Sequence, residues 1–458
     1  MEKQHILVVG LGYRTGLASA NFLINKGFEV TVCDIKSSEE LSPIIQKLDT
    51  RVKVIAGNQH PSLLDNGFDE IVLSPGVPQS IPLIQEAYRR AIPVISEIEL
   101  AYRYCKAAIV GVTGTDGKST VTMLIAHCLK RLGFDAHPGG NIGIPFISLV
   151  DSLREDSVAV IELSSFQLET VKTFKPDVAI ITNLTPDHLD RYDSLYDYFN
   201  AKMNIANNQC KDDYFIFNKD DEFIVNNMPA LQSQQHSFSL LGKADCFYSN
   251  GVIAMDSNGK TKLVAHASNM KISGLHNVQN AMAAILASTF IGEKFGNNID
   301  IKVLEEALYS FEGLPHRVQN LGEYMGRIFI NDSKATTTGA VIMALKSLRD
   351  NVILILGGRA KGDDYSRLKT IIKGKVKVLV LIGETKDEFA SIFSDIPHVK
   401  AFSMEDAVIK AMKLSAKGDT ILLSPACASF DMYKNYEERG DNFIEIYSKL
   451  VQGELAWM

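Results

Sequence analysis

The sequence predicts an α/β protein of three domains, and three observations carry that prediction. Residues 108–132 read as a buried strand, a glycine-rich turn and a helix with an apolar stripe of period 3.6. Residues 5–34 read as strand, glycine turn, helix and strand, ending at Asp34. From Arg327 to Ser424 strands and helices alternate, the pattern of a parallel sheet. The expected architecture is a Rossmann-like N-terminal domain at 1–100 and a central domain of the P-loop ATPase type at 101–313, carrying a small antiparallel sub-sheet. A Rossmann-like C-terminal domain at 314–458 completes it.

A chain of 458 residues is too long for one core. Apolar content of 46% and charged content of 22% are ordinary for a soluble globular protein. A net charge of −7 without a basic block argues against nucleic acid as main partner. The cysteines (Cys33, Cys105, Cys128, Cys210, Cys246, Cys427) are scattered without a Cys-x-x-Cys pair, so neither a disulfide framework nor a zinc site is expected. No run reaches membrane-spanning length and no cleavage-type leader is visible. A cytoplasmic monomer, without membrane insertion, is the expectation.

In chain order, His5–Gly10 predicts a strand, Leu17–Lys26 a helix and Glu29–Cys33 a second strand. Gly10-x-Gly12-x-x-x-Gly16 has one residue too many for the dinucleotide fingerprint, so it suits any diphosphate ligand, or close packing of strand on helix. Ile71–Ser74 and Val94–Glu97 predict further strands. The phosphate loop follows as Thr113-Gly114-Thr115-Asp116-Gly117-Lys118-Ser119-Thr120. Its glycines at Gly111, Gly114 and Gly117 depart from the standard spacing, but strand, lysine, hydroxyl and helix are all in place. Such a loop offers backbone N–H groups and a helix dipole to phosphates, a lysine to the outer ones and a hydroxyl to Mg²⁺.

Gly139–Gly143 reads as a loop whose backbone lies close to something. Val158–Leu163 predicts a buried strand with Glu162 at its end, a usual place for a metal-binding carboxylate or for a carboxylate paired locally. Val178–Thr182 delivers the polar loop Asn183–Arg191, with His188 at a strand's C-terminal end, and Lys202 follows on a helix, where periodicity alone makes it a solvated lysine. Residues 213–272 predict the antiparallel part, with a turn at Asp256–Gly259. In the last domain, the loops Asp332–Thr336, Gly357–Gly362 and Ser424–Asp431 all follow strand ends and should converge on one crevice.

Together these motifs resemble the Mur ligases, the ATP-dependent amide-forming enzymes of peptidoglycan precursor synthesis. Thr-Gly-Thr-Asp-Gly-Lys-Ser, Glu-Leu-Ser-Ser-Phe-Gln at 162–167, Pro-Asp-His at 186–188 and Leu-Pro-His-Arg at 314–317 carry the likeness. Asn-Asp-Ser-Lys-Ala-Thr at 331–336 and Leu-Ser-Pro-Ala-Cys-Ala-Ser-Phe-Asp at 423–431 narrow it to the branch that adds D-glutamate to UDP-N-acetylmuramoyl-L-alanine. The resemblance implies ATP on Gly114, Thr115, Asp116, Gly117, Lys118, Ser119 and Thr120, with Asn280, His316, Arg317 and Asp332 on its adenine and ribose side. It implies two Mg²⁺ ions on Ser119, Glu162, His188 and a carbamylated Lys202. It places Lys334 near the phosphates or the nascent intermediate; Lys118, Glu162, His188, Lys202 and Lys334 would be the catalytic set. Gly12, Thr15, Asp34, Ser74 and Asn141 match positions around the UDP-sugar, and Thr336, Lys361, Ser429 and Tyr436 those around D-glutamate.

Three departures stand out. The first glycine turn is one residue longer than the commoner family pattern, Lys36 stands where an arginine can occur, and Tyr436 where phenylalanine is common. A folylpolyglutamate synthase shares the phosphate loop but lacks the first domain, so residues 1–100 argue against it. A nucleotide-dependent dehydrogenase built on 5–34 is opposed by the glycine spacing and by the second phosphate loop.

Overall fold

Five short apolar runs at the start of the chain form one parallel sheet. In spatial order its strands are Lys53–Ala56, Glu29–Asp34, His5–Val9, Glu70–Leu73 and Val94–Ser96. The order reverses at His5–Val9, so a crevice opens at its C-terminal end, where the Gly10–Gly16 turn lies. These coordinates come from a computed structural model that describes residues 3–188, 191–257 and 259–457. Asn258 of the expected turn and Asp190 of the polar loop lie outside those residues.

A nine-stranded sheet follows. Its strand Ala108–Thr113, fully buried, lies between Ser157–Glu162 and Val178–Ile181, all parallel. Asp135–Gly140 closes one edge. On the other side come Tyr214–Asn218, Gln234–Ser239 and Cys246–Ser249, still parallel, and then Val252–Ser257 and Lys260–His266, antiparallel. The antiparallel part is thus the outer margin of one continuous sheet, and Tyr214–Asn218, expected within it, pairs parallel with Val178–Ile181. The helices Lys118–Arg131 and Leu275–Lys294 cover one face with residues such as Leu124, Ile125, Ala281 and Ile285. No helix among the described residues is long and apolar enough to cross a membrane.

The chain divides into two compact units, 1–311 and 312–458. The second holds a six-stranded sheet in the order Gln319–Tyr324, Arg327–Asn331, Thr420–Leu423, Val352–Leu356, Val376–Leu381, His398–Lys400. Only its first pair is antiparallel.

Two elements differ from the sequence reading. Glu97, expected to end a strand, begins the helix Glu97–Tyr104, because the Ser96 hydroxyl accepts from the Glu99 N–H and caps it. Gly139 and Gly140, expected in a loop, end the edge strand. A side chain at Gly140 would meet the Glu162 carbonyl, which is the close backbone approach the glycines signalled. Among the unpredicted elements are the short strands Lys53–Ala56, Gln234–Ser239, Gln319–Tyr324 and His398–Lys400 and the helices Ser38–Ile45, Pro82–Arg89, Ile301–Ser310 and Tyr436–Gln452.

Candidate active site

The register of the nine-stranded sheet puts Val112 opposite Glu162 and Thr113 opposite Ile181. Three strand ends therefore meet at one level, and the phosphate loop lies between Glu162 and Asn183. Gly114 and Gly117 have φ of 138° and 80°, which favours glycine at both. The helix Lys118–Arg131 starts after Gly117 with no side-chain cap among the described residues, which leaves its first-turn N–H groups open to an anionic ligand. Neighbours hold the loop in shape. The Thr115 N–H donates to the Asn183 carbonyl (3.0 Å) and the Asp116 N–H to the Asn183 amide oxygen (2.8 Å). The Thr182 hydroxyl donates to the Asp116 carbonyl (2.6 Å), and Lys118 Nζ to the Thr115 carbonyl (2.6 Å). Ser119 and Thr120 are buried in the first turn. Asn280, on its own helix, lies so close that a methyl at Gly117 would be 2.7 Å from its Oδ1.

Glu162 is only 3% exposed. Its Oε1 accepts from Asn141 Nδ2 (2.8 Å), whereas its Oε2 is buried without a partner among the described residues. Leaving such an oxygen unpartnered costs about 1–3 kcal/mol, and a cation would relieve it. The donor set therefore fits Mg²⁺, which takes a hydroxyl, one or two carboxylates and substrate phosphates. Among the described residues no three His, Cys, Asp or Glu side chains cluster to hold a metal by themselves.

Lys202 is 1% exposed, not solvated as its helix position suggested. Its Nζ donates to the Gly114 carbonyl (2.7 Å) and lies 4.3 Å from the Tyr198 ring centre. Burial first, and then the Lys118 cation, push its pKa well below the ordinary lysine range. His188 is exposed, with φ of 54°, and its ring is 4.8 Å from Phe166. Arg191 holds that loop: its guanidinium is 4.1 Å from the Phe166 ring, pairs with Glu169 (2.6 Å) and donates to the Pro75 carbonyl (3.1 Å).

At the first sheet, both readings of the glycine turn find support. A methyl at Gly16 would be 2.2 Å from the Gly10 carbonyl oxygen, which is close packing, while Gly12 faces open space. Asp34 shapes the turn, accepting from the N–H groups of Leu11 (2.7 Å) and Lys36 (2.9 Å). Ser74 donates to the Gly10 carbonyl (2.6 Å), and Thr15 opens the helix Thr15–Asn25. Arg14, in the lengthened turn, donates to the carbonyls of Gly140 (2.9 Å), Asn141 (3.0 Å) and Gly143 (3.1 Å), tying the turn to the Asn141–Glu162 pair. Two buried acids on the helix Glu97–Tyr104 tie it to other segments of the first unit. Glu99 accepts from the N–H groups of Lys172, Thr173 and Phe174. Glu97, raised to about 7 by burial, accepts from the Ile147 N–H.

In the second unit the three polar loops converge at one end of the sheet. Ala426 N–H donates to the Ala335 carbonyl, Gly357 N–H to the Pro425 carbonyl, and Arg359 and Ala428 exchange backbone bonds. Lys361 Nζ donates to the Thr336 hydroxyl (3.0 Å), and Ser429 is buried nearby in the chain. Lys334 Nζ lies 5.7 Å from the Tyr436 ring centre. Asp332, 4% exposed, accepts from the Ser424 hydroxyl (2.7 Å) and the Val318 N–H (3.1 Å), and burial raises it to about 7. Arg317 opposes that rise. His316 is buried against Asn331 Nδ2 (2.9 Å) and Gly440, and burial lowers its pKa.

Arg14, Arg191, Glu97, Glu99 and Arg439 escaped the sequence reading. Their partners lie 50 to 127 residues away in most cases, and no local pattern marks them.

A parallel sheet with an uncapped phosphate-loop helix, a half-partnered buried acid and a buried lysine defines a nucleotide-phosphate-binding α/β enzyme of the P-loop class. Three family models cover most of it: the MurD-like N-terminal domain of Mur ligases at residues 4–96, the Mur ligase middle domain at 112–288 and the Mur ligase glutamate ligase domain at 316–427. The chain belongs to the Mur ligase family. It is 40% identical to the UDP-N-acetylmuramoylalanine--D-glutamate ligase of Geotalea daltonii over 99% of both chains, and 37% identical to that of Pelotomaculum thermopropionicum over 98% and 99%. Among solved structures it shares its fold with a UDP-N-acetylmuramate-alanine ligase from Thermotoga maritima (TM-score 0.58, 20% identity, 98% and 100% of the chains). A MurF from Acinetobacter baumannii is also similar (TM-score 0.59, 15% identity, 96% and 93%).

Proposed function

We propose that the chain is an ATP-dependent acid–D-amino-acid ligase that joins D-glutamate to UDP-N-acetylmuramoyl-L-alanine, releasing ADP and phosphate, in peptidoglycan precursor synthesis. The observation that carries it is the 40% identity, end to end, with relatives of that activity. On this reading the protein works in the cytoplasm as a monomer. Residues 1–100 hold the UDP-sugar, 101–313 hold ATP, and 314–458 hold D-glutamate.

A carboxylate resists attack because its oxide is a poor leaving group. Transfer of the γ-phosphoryl group breaks the bond to ADP and forms an acyl-phosphate on the L-alanine carboxylate. The D-glutamate amine then attacks the carbonyl carbon, and phosphate leaves. Catalysis of this kind is mainly positioning and charge neutralisation. Lys118 and the amides of Gly114–Thr120 hold the phosphates. Ser119 and the unpartnered Glu162 oxygen suit one Mg²⁺, and His188 with Lys202 a second. The metal supplies charge for the transferring phosphoryl oxygens. Burial lowers the pKa of Lys202 and so favours the neutral amine, the form that reacts with CO₂, which supports a carbamate there, an oxygen ligand in place of a cation. Asn280, His316, Arg317 and Asp332 take the nucleotide side, and Lys334 the phosphates or the nascent intermediate. Gly12, Thr15, Asp34, Ser74 and Asn141 frame the UDP-sugar. Thr336, Lys361, Ser429 and Tyr436 frame D-glutamate, where a lysine beside a dicarboxylate is the minimum requirement.

The test is phosphate release from ATP with Mg²⁺, UDP-N-acetylmuramoyl-L-alanine and D-glutamate. Release that requires both substrates is expected. Release that ignores D-glutamate, or is equal with L-glutamate, would sink the proposal.

A further inference from the structure

Arg439 stands in the first turns of the helix Tyr436–Gln452 and is 3% exposed. All its hydrogen bonds end on neutral oxygens. Nε donates to the Ser333 hydroxyl (3.0 Å), and Nη2 to the carbonyls of Ser333 (2.8 Å) and Cys427 (3.1 Å). Nη1 donates to the Ala428 carbonyl (3.3 Å). The Ser333 hydroxyl passes the network on to the Tyr436 carbonyl (2.8 Å). Among the described residues no carboxylate forms an ion pair with Arg439. The Asp431 carboxylate acts on the guanidinium from beyond ion-pair distance, and a planar fork that satisfies four separate acceptors is something only arginine supplies.

The acceptors are not scattered. Ser333 precedes Lys334 and Thr336, on the loop after Arg327–Asn331; Cys427 and Ala428 precede Ser429, on the loop after Thr420–Leu423. Tyr436 opens the helix that carries Arg439. A side chain at Gly358, beside the Lys361 loop, would come within 3.2 Å of Nη1. One guanidinium thus ties the 333–336 segment, the 427–429 segment and the helix that begins at Tyr436 together, three of the four segments that bear a residue assigned above to D-glutamate.

We propose that Arg439 is a positioning residue for the amino-acid acceptor, setting the mutual placement of the 333–336 and 427–429 loops and thereby the affinity for D-glutamate. The proposal rests on the assignment of those loops to D-glutamate.

The test compares the parent enzyme with Arg439→Lys, Arg439→Gln and Ser333→Ala, reading KM for each of the three substrates, kcat, and Tm. Lysine keeps the charge but loses the fork, so KM for D-glutamate should rise about tenfold, with KM for the UDP-sugar within about twofold of the parent. Gln should be worse than Lys. Ser333→Ala removes one acceptor and should raise the same KM about threefold; it decides the matter if both Arg439 variants fail to fold. An unchanged KM for D-glutamate in a folded variant, or an equal rise in all three KM values, overturns the proposal. A parent enzyme indifferent to D-glutamate overturns the functional reading instead, and this one with it.

Discussion

Replacing Glu162 with glutamine should make the free protein more stable and the enzyme far less active. The Glu162 carboxylate is buried at the end of its strand, with one oxygen bonded to Asn141 Nδ2 at 2.8 Å and the other without a partner among the described residues. Glutamine keeps the first bond through its carbonyl oxygen and puts a neutral N–H₂ where the bare oxygen stood. A buried neutral group left unpaired costs about 1–3 kcal/mol, and a charged one costs more, so the exchange should gain about 1–2 kcal/mol. For a unit of this size that is about 1.5–3 °C in Tm. Thermal unfolding without ligand measures it. With Mg²⁺ and ATP the order should reverse, since the parent gains binding energy that the variant lacks: a ligand at a hundred times its Kd adds about 2.7 kcal/mol. Phosphate release should fall by at least about 100-fold, the usual loss when a group that neutralises transition-state charge is removed. A lower Tm for the free variant, or activity within about threefold of the parent at unchanged Mg²⁺ dependence, would refute the reasoning.

Lys202→Ala should lose at least about 100-fold in kcat, and added short-chain carboxylic acids should restore part of it; full activity in the variant rules out a carbamate role. Gly114→Ala forces a side chain to φ of 138° and sets a methyl 2.0 Å from Thr182 Oγ1, itself held by Asp116. Denaturant unfolding should show a loss of about 2 kcal/mol or more, with weaker ATP binding by calorimetry. Asp332 has a raised pKa of about 7, so the folded state keeps a proton that the unfolded state releases at about pH 4. Its contribution to stability is therefore full below about pH 4 and declines as pH rises to about 7, by about 4 kcal/mol in all. Asp332→Asn should flatten that stretch of the stability–pH curve, and an unchanged slope would count against the burial argument.

The phosphate-loop strand and helix, the strand at Val178 and four of the six strands of the second unit were legible in the sequence, because continuous apolar runs and 3.6-residue stripes are local signals. The convergence of the 332–336, 357–362 and 424–431 loops was legible too, since strand ends in a parallel sheet point one way. Lys202 was not. Its helix gives no sign of burial, and only the fold brings Nζ to the Gly114 carbonyl, 88 residues away. Edge strands such as His398–Lys400 were missed because three half-exposed residues carry no period. Arg439 was missed because three of its four acceptors are backbone carbonyls, which every sequence possesses.

The irregular glycine spacing has a structural cause in the neighbours of the loop. Gly111 is not part of the cradle: it lies within the strand, where a methyl would be 3.1 Å from Ile205 and 3.2 Å from Leu163. Ile205 comes just after the helix that carries Lys202, so the missing side chain lets that helix end lie close against the strand. Gly114 admits Thr182, and with it the Asn183 loop; Gly117 admits Asn280. Each glycine thus makes room for a different neighbour of the same loop. A spacing set by phosphates alone would need glycines only at Gly114 and Gly117, where φ is positive. The third makes room for Ile205, just past the helix whose Lys202 donates to the Gly114 carbonyl, so the sequence irregularity reflects packing beside the loop.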